Sequence, residues 1–196
     1  MQGLRSAFML LLICTLLLGG AYPLTVTALT QILLHDQAQG SLIKRGDRIV
    51  GSRLIGQHFA SAKYFWGRPS ASQPPYNPEA SGGSNLGVSS PVLLETINSR
   101  IAAMKDSGRS KSRIPFEMVT ASASGLDPHI SLAAALYQLP RVARARSMKE
   151  EAVLAVIREH TAPAMLPGWL AEPYVNVLLL NLALDDMAEA KKKKSE

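Results

Sequence analysis

The sequence predicts an α+β chain: a single N-terminal transmembrane helix followed by one small extracytoplasmic domain of mixed helices and strands with long ordered Gly/Ser/Pro loops. Three observations carry this expectation. Ser6 to Leu34 holds no charged residue over 29 positions, and at about 1.5 Å per residue a helix of that length exceeds the roughly 30 Å hydrocarbon core of a bilayer. Beyond it, short alternating apolar runs and helix-periodic ones are separated by turn chemistry, the pattern of a domain that mixes both element types. Between these runs, Tyr64 to Pro91 is rich in Pro, Gly, Ser and Asn yet carries Tyr64, Phe65, Trp66 and Tyr76. Aromatic rings are costly to leave in water, so this long loop is expected to be ordered, packed under itself or against a neighbouring protein.

These features divide the chain into residues 1–35 (the terminal segment and membrane helix, about 6–34), a soluble domain over 36–187 and a lysine-rich tail over 188–196. The part after the anchor suffices for one compact domain and is too short for two ordinary ones. Arg5 is the only charge before the apolar run, which predicts a cytoplasmic N-terminus and an exported domain. Gly19 and Ala21 offer a small-x-small pair to a signal peptidase, but the apolar character continues through Val26, Leu29 and Ile32, so an uncleaved anchor is expected. Cys14, the sole cysteine, follows bulky Ile13 rather than the small residue of a lipoprotein site and leaves no partner for a disulfide. Gly20, Pro23, Thr27, Thr30 or Gln31, and Leu34 recur at helical spacing, and small or hydroxyl-bearing residues on one face let a second membrane helix approach.

The net charge of +6 is not a nucleic-acid signal: Arg5 supplies one charge and KKKKSE three, which leaves +2 for residues 36–190. The Lys191 to Lys194 run reads as a solvated tail.

Ser41 to Ser52 places Leu42-Ile43 and Ile49-Val50 around a Gly46-Asp47 turn, a hairpin pattern. Ser90-Pro91 opens a helix whose apolar face is Leu94, Ile97, Ile101 and Met104, with Gly108 and Arg109, Lys111 and Arg113 at its end. Ser131 caps a helix that Pro140 interrupts or restarts, with Arg141 and Arg144 on one face. Ser147-x-x-Glu150 forms a capping box for a helix buried through Val153, Val156 and Ile157 and stopped at Pro163. Val175 to Leu184 begins as a strand and finishes as a helix, or is one of the two; periodicity leaves this open.

The most enzyme-like cluster is Ser122, Ser124, Asp127 and His129, which holds the residue types of a nucleophile, base and orienting carboxylate. Its close sequence spacing and the lack of a glycine-flanked elbow favour instead a turn fixed by Asp127-Pro128. Scattered His35, His58, His129 and His160 predict no metal site. Ser81, Gly82, Gly83, Ser84 and Asn85 could offer backbone N–H groups to an anion, but without the lysine and preceding strand of a nucleotide loop.

Five irregular stretches, YFWGRPSA (64–71), YNPEASGGSNLG (76–87), TASASGLDPHIS (120–131), QLPRVARAR (138–146) and EPYVNVLLLNLALD (172–185), together closely resemble KdpC, the C subunit of the potassium-transporting Kdp ATPase. Ala123, Leu139 and Leu179 depart from the family pattern without removing a chemical group that carries a role, and the lysine tail lies outside it. The resemblance implies a non-catalytic subunit in the bacterial inner membrane, assembled with a potassium-channel-like subunit and a P-type ATPase subunit. It implies a role in assembly and stability and as a catalytic chaperone that raises the ATPase subunit's affinity for ATP. No tightly bound cofactor, metal or nucleic acid is expected. With the domain outside, ATP acts through the partner subunit, and direct contact at Ser81 to Asn85 would need the opposite topology. Partner-binding candidates are Gly20, Pro23, Thr27, Thr30, Tyr64, Phe65, Trp66, Arg68, Asn85, Ser124, Asp127, His129, Arg141 and Arg144. The alternative is a membrane-anchored extracytoplasmic serine hydrolase using Ser124, Asp127 and His129.

Overall fold

The computed structural model describes residues 2–107, 113–163 and 172–193, in two compact units, residues 1–50 and 51–196. Gly108, Arg109 and Lys111, expected to end a helix, lie outside the described residues.

The first unit is built on α1 (Gln2–Leu16), a π-helical turn (Leu17–Ala21) and α2 (Tyr22–Leu33). Together they give an apolar helix over Gly3–Leu33, 31 residues with mean hydropathy 2.1 and no part of it buried. Its length and composition are those of a membrane span. The π-turn has a local cause: Pro23 sits at the start of α2 without an N–H, and its ring would clash with the carbonyl four residues back. Widening the preceding turn, so that the Tyr22 N–H reaches Leu17 O, relieves this. After the short α3 (His35–Ala38), β1 (Leu42–Arg45) pairs with β2 (Arg48–Ser52), and Gly46 at φ +56° makes the turn as expected.

The second unit contains α4 (Pro91–Ser107), β3 (His129–Ser131), α5 (Leu132–Ala145), α6 (Glu150–Glu159), β4 (Thr161–Ala162), β5 (Tyr174–Asn176) and α7 (Val177–Lys193). β5 is the central strand of an antiparallel sheet in the order β3-β5-β4, with Ile130 opposite Val175 and Thr161 opposite the same residue. Segment 174–193 is therefore a strand followed by a helix, and the helix runs through Lys193 into the stretch expected to be a free tail. The core gathers Ile130 and Val175 from the sheet, Val142 from α5, Ile157 from α6 and Leu180 and Leu184 from α7, with Phe65 and Met118 inserted from loops.

Three expectations about helices fail for identifiable reasons. Pro140 does not break α5, which passes through it; seven buried positions on this helix outweigh a penalty of about 3 kcal/mol for an internal proline. The Ser147 capping box does not form. Ser147 takes φ +52° and its N–H donates to Arg144 O while the Met148 N–H donates to Ala143 O, so it closes the C-terminus of α5 and cannot cap α6. Leu94 is exposed, and only Ile97, Ile101 and Met104 of the expected α4 face are partly buried.

Candidate functional site

The segment Ala62–Ser72 begins in a turn, with the Tyr64 N–H donating to Ser61 O, and continues across the second unit without regular secondary structure, so its backbone groups need other partners. Two buried amides supply them. Asn181 of α7 accepts from the Phe65 N–H at 2.8 Å and donates to Phe65 O at 2.9 Å. Gln138 of α5 accepts from the Trp66 N–H at 2.8 Å and donates to Trp66 O at 3.0 Å. Each amide imitates a neighbouring strand, and consecutive residues are gripped from two helices.

Charged groups extend the grip. Arg141 donates to Ala62 O at 2.6 Å, to Tyr64 O at 3.0 Å and to Gln138 Oε1 at 2.7 Å, with its guanidinium 3.7 Å above the Trp66 ring. Burial lowers its pKa to about 10. One helical turn on, Arg146 donates to Lys63 O at 2.6 Å and to Asp185 at 2.9 Å, and the Tyr64 hydroxyl donates to the other Asp185 oxygen at 3.2 Å. Arg144 is not part of this cluster: it is exposed while Arg141 is buried, so the two do not share one face.

The downstream half of the segment is bound to the loop 120–129. Arg68 donates to Asp127 Oδ2 at 3.2 Å, Ser70 donates to Gly125 O at 2.7 Å and the Ser122 N–H to Pro69 O at 3.1 Å. The Tyr76 hydroxyl donates to Arg68 O at 2.6 Å. Burial first, then the charge of Asp127, pushes Tyr76 up to about 12 against the opposing charge of Arg68. A Cβ at Gly67 would lie 2.5 Å from the Tyr76 oxygen, and one at Gly56 would lie 2.6 Å from Asp127 O, so both close approaches require glycine.

This geometry takes apart the enzyme-like cluster. The Ser124 hydroxyl accepts from the Leu126 N–H, and Asp127 Oδ1 accepts from the His129 N–H. The His129 ring stands edge-on to Tyr174, with its Nδ1 3.9 Å from Asp127, and burial lowers its pKa with partial offset from that carboxylate. Among the described residues no bond joins Ser124 to His129. Asp127 therefore works as a turn and loop clasp. The glycine loop is likewise turned inward: the Gly82 N–H and the Ser81 hydroxyl both donate to Ser124 O. Asn85 is exposed at φ +52° and Ser84 is exposed.

In the first unit Gly20, Pro23, Thr27 and Thr30 keep their helical spacing, but the Thr30 hydroxyl donates to Val26 O and sits near Thr27 O within its own helix. Its oxygen, not its proton, is what it offers to a partner.

Gln138, Asn181, Arg146 and Asp185 were not singled out from the sequence. Their signal was available: Asn181 interrupts the apolar run Val177-Leu-Leu-Leu-Asn-Leu-Ala-Leu184, and a lone polar residue inside a buried stretch must find a polar partner.

One helix with the length and composition of a membrane span and an α+β unit in which Ser124 and Asp127 bind their own loop define the class of the chain: a single-span α+β protein whose serine cluster is structural. A family profile described as "KdpC: K+-transporting ATPase, c chain" matches residues 4–186. A protein of Methylibium petroleiphilum named "Potassium-transporting ATPase KdpC subunit" is 57% identical over 185 residues, covering 93% of this chain and 96% of its own. Proteins of the same name from Variovorax paradoxus and Cronobacter sakazakii are each 52% identical, covering 96% and 94% of this chain and 98% of their own lengths. The chain belongs to the KdpC family.

Proposed function

We propose that this chain is the non-catalytic C subunit of an ATP-driven potassium uptake complex, anchored in the bacterial inner membrane with its N-terminus cytoplasmic and residues 36–187 periplasmic. The observation that carries the reading is the family match over residues 4–186. The inward use of Ser124, Asp127 and His129 supports it over a serine hydrolase. Its partners are the potassium-channel-like subunit and the P-type ATPase subunit, on which ATP is hydrolysed. The chain stabilises their assembly and acts as a catalytic chaperone, raising the ATPase subunit's affinity for ATP without binding a cofactor tightly itself. ATP is cytoplasmic, so this effect passes allosterically through the partners, as a coupling free energy between separate sites.

Purification of the tagged chain from native membranes tests the reading: both partner subunits are expected to co-purify, and recovery of the chain alone would overturn it. A reporter fused after Asp185 is expected to be active only on the periplasmic side. For the anchor, replacing Gly20 and Thr27 together with leucine adds bulk where a helix would approach. The double variant is expected to insert normally but to recover less of the partner subunits.

A further inference from the structure

The second unit contains a cavity of about 300 Å³ between the segment 66–76 and α4, walled by Trp66, Met104 and Met118 and faced by Arg68 and Arg100. Among the described residues no Asp or Glu lines it. Arg68 spends one terminal nitrogen on Asp127 and reaches Ala121 O with the other at 3.4 Å, while its Nε is buried with no hydrogen-bond partner. Arg100 reaches Val119 O at 3.0 Å, a neutral acceptor, and burial lowers its pKa. Arg68 and Arg100 thus both line this space, and among the described residues one carboxylate, that of Asp127, pairs with Arg68 while Arg100 meets a neutral carbonyl. A buried donor without a partner is costly, and a partly buried guanidinium that meets only a neutral acceptor gains from a counter-charge. A guanidinium fork is best matched by a carboxylate. With Trp66, Met104 and Met118 as its apolar walls and His58, Ser70 and Tyr76 as its other polar groups, the space suits a single negative charge on a short apolar stem.

The source of that carboxylate is indicated by α4. Ala103 lines the cavity, and Val92, Thr96 and Ser99 continue its row along the helix. Val92 is 58% exposed, some 16 Å along the axis at about 1.5 Å per residue. A small molecule in the cavity leaves that apolar end bare, whereas a protein surface covers it and reaches the cavity with one side chain.

We propose that this cavity is a socket for an acidic side chain of a partner subunit, held between Arg68 and Arg100, with α4 as its outer wall. The proposal rests on the reading that the chain works within a multi-subunit complex.

The test compares wild-type chain with two full-length variants, each purified from native membranes. Arg100→Met removes the charge and keeps the stem; Ala103→Trp fills the cavity and keeps both charges. Each is expected to lower recovery of the partner subunits by about tenfold or more, equivalent to about 1.4 kcal/mol of binding; Ala103→Trp leaves the Arg100 bond to Val119 O in place, so with that variant thermal unfolding of the isolated chain in detergent is expected to stay near wild type. Wild-type recovery with both variants would overturn the socket and leave the proposed function standing. Failure of the wild-type chain itself to recover partners would overturn the proposed function, and the socket with it. As a third arm, sodium propionate is titrated into the isolated chain carrying Trp169→Phe, with Trp66 fluorescence as the readout. Saturation below about 1 mM would make this a small-molecule site and overturn the partner assignment; no saturation in that range is the expected result.

Discussion

Helices α4 and α5 begin from the same sequence signals, a serine cap followed by apolar residues at helical spacing, yet they do different work. In α5 the Ser131 hydroxyl accepts from the Ala134 N–H and seven positions are buried, Gln138 and Arg141 among them. In α4 none of residues 91–105 is buried, and Val92 and Leu94 are more than half exposed. The difference teaches that α5 is part of the frame that holds segment 62–72, whereas α4 is attached by its edge, through Met104 and the Arg100 bond to Val119 O. Substitutions in the frame should therefore act on stability. Those on the outer side of α4 should hardly register in the isolated chain.

The largest effect is expected at Asn181. Asn181→Ala strips both backbone partners from Phe65 in a buried site, and two groups left unsatisfied there cost about 2–5 kcal/mol together. Urea unfolding of the full chain in detergent measures this. A loss below about 1 kcal/mol would mean that segment 62–72 is held by ring packing alone.

The next effect is one of pH. Tyr76 titrates at about 12 in the folded chain against 10.0 when exposed, chiefly through burial and then through Asp127. A raised pKa means that the folded state holds this proton more tightly, so the contribution is fully present below pH 10 and is lost as pH rises through about 12. Tyr76→Phe should flatten the fall of the melting temperature over that window. An unchanged slope would place the alkaline sensitivity elsewhere.

A smaller pair of effects separates clasp from nucleophile. Ser124→Ala removes one hydroxyl that accepts from the Leu126 N–H and should cost about 0.5–1.5 kcal/mol. Asp127→Ala should cost more, since that side chain holds both Arg68 and the His129 N–H. Potassium-dependent growth and subunit recovery should fall in the same order. An inactive but fully assembled Ser124→Ala complex would instead mark a nucleophile.

Much of this frame was legible in the sequence, and the part that was not has physical reasons. The membrane helix, the hairpin and the Ser131 cap rest on local rules, and each occurs where those rules place it. Order in the loop from Tyr64 onward followed from its aromatics, and Phe65 is fully buried. What local rules could not show was which distant residue answers a given polar group. Asn181 lies 116 residues from the backbone it grips and Gln138 lies 72 from its own. Ser147 illustrates the opposite error: the local capping signal was real, but the end of α5 needed that residue in a left-handed conformation and the tertiary geometry prevailed. The pairing of Arg141 with Arg144 failed because helical spacing gives a shared direction only approximately, and the packing of Trp66 selected one of the two.

The smallest expected effect is the sharpest test of the comparison between the two helices. Val92 is 58% exposed on α4, whereas Val142 is fully buried on α5. Val142→Ser deletes apolar volume and places a hydroxyl among Phe65, Ile157 and their neighbours, a change that should cost about 2 kcal/mol or more. Val92→Ser exposes no new apolar surface and leaves no buried group unpaired, so it should shift stability by less than about 0.5 kcal/mol. Serine also keeps the helix, because its propensity differs from that of valine by only a few tenths of a kcal/mol. Urea unfolding of both variants in parallel measures the contrast. If Val92→Ser destabilises the isolated chain as much as Val142→Ser, α4 is packed as firmly as α5, and its description as a helix attached by one edge is wrong.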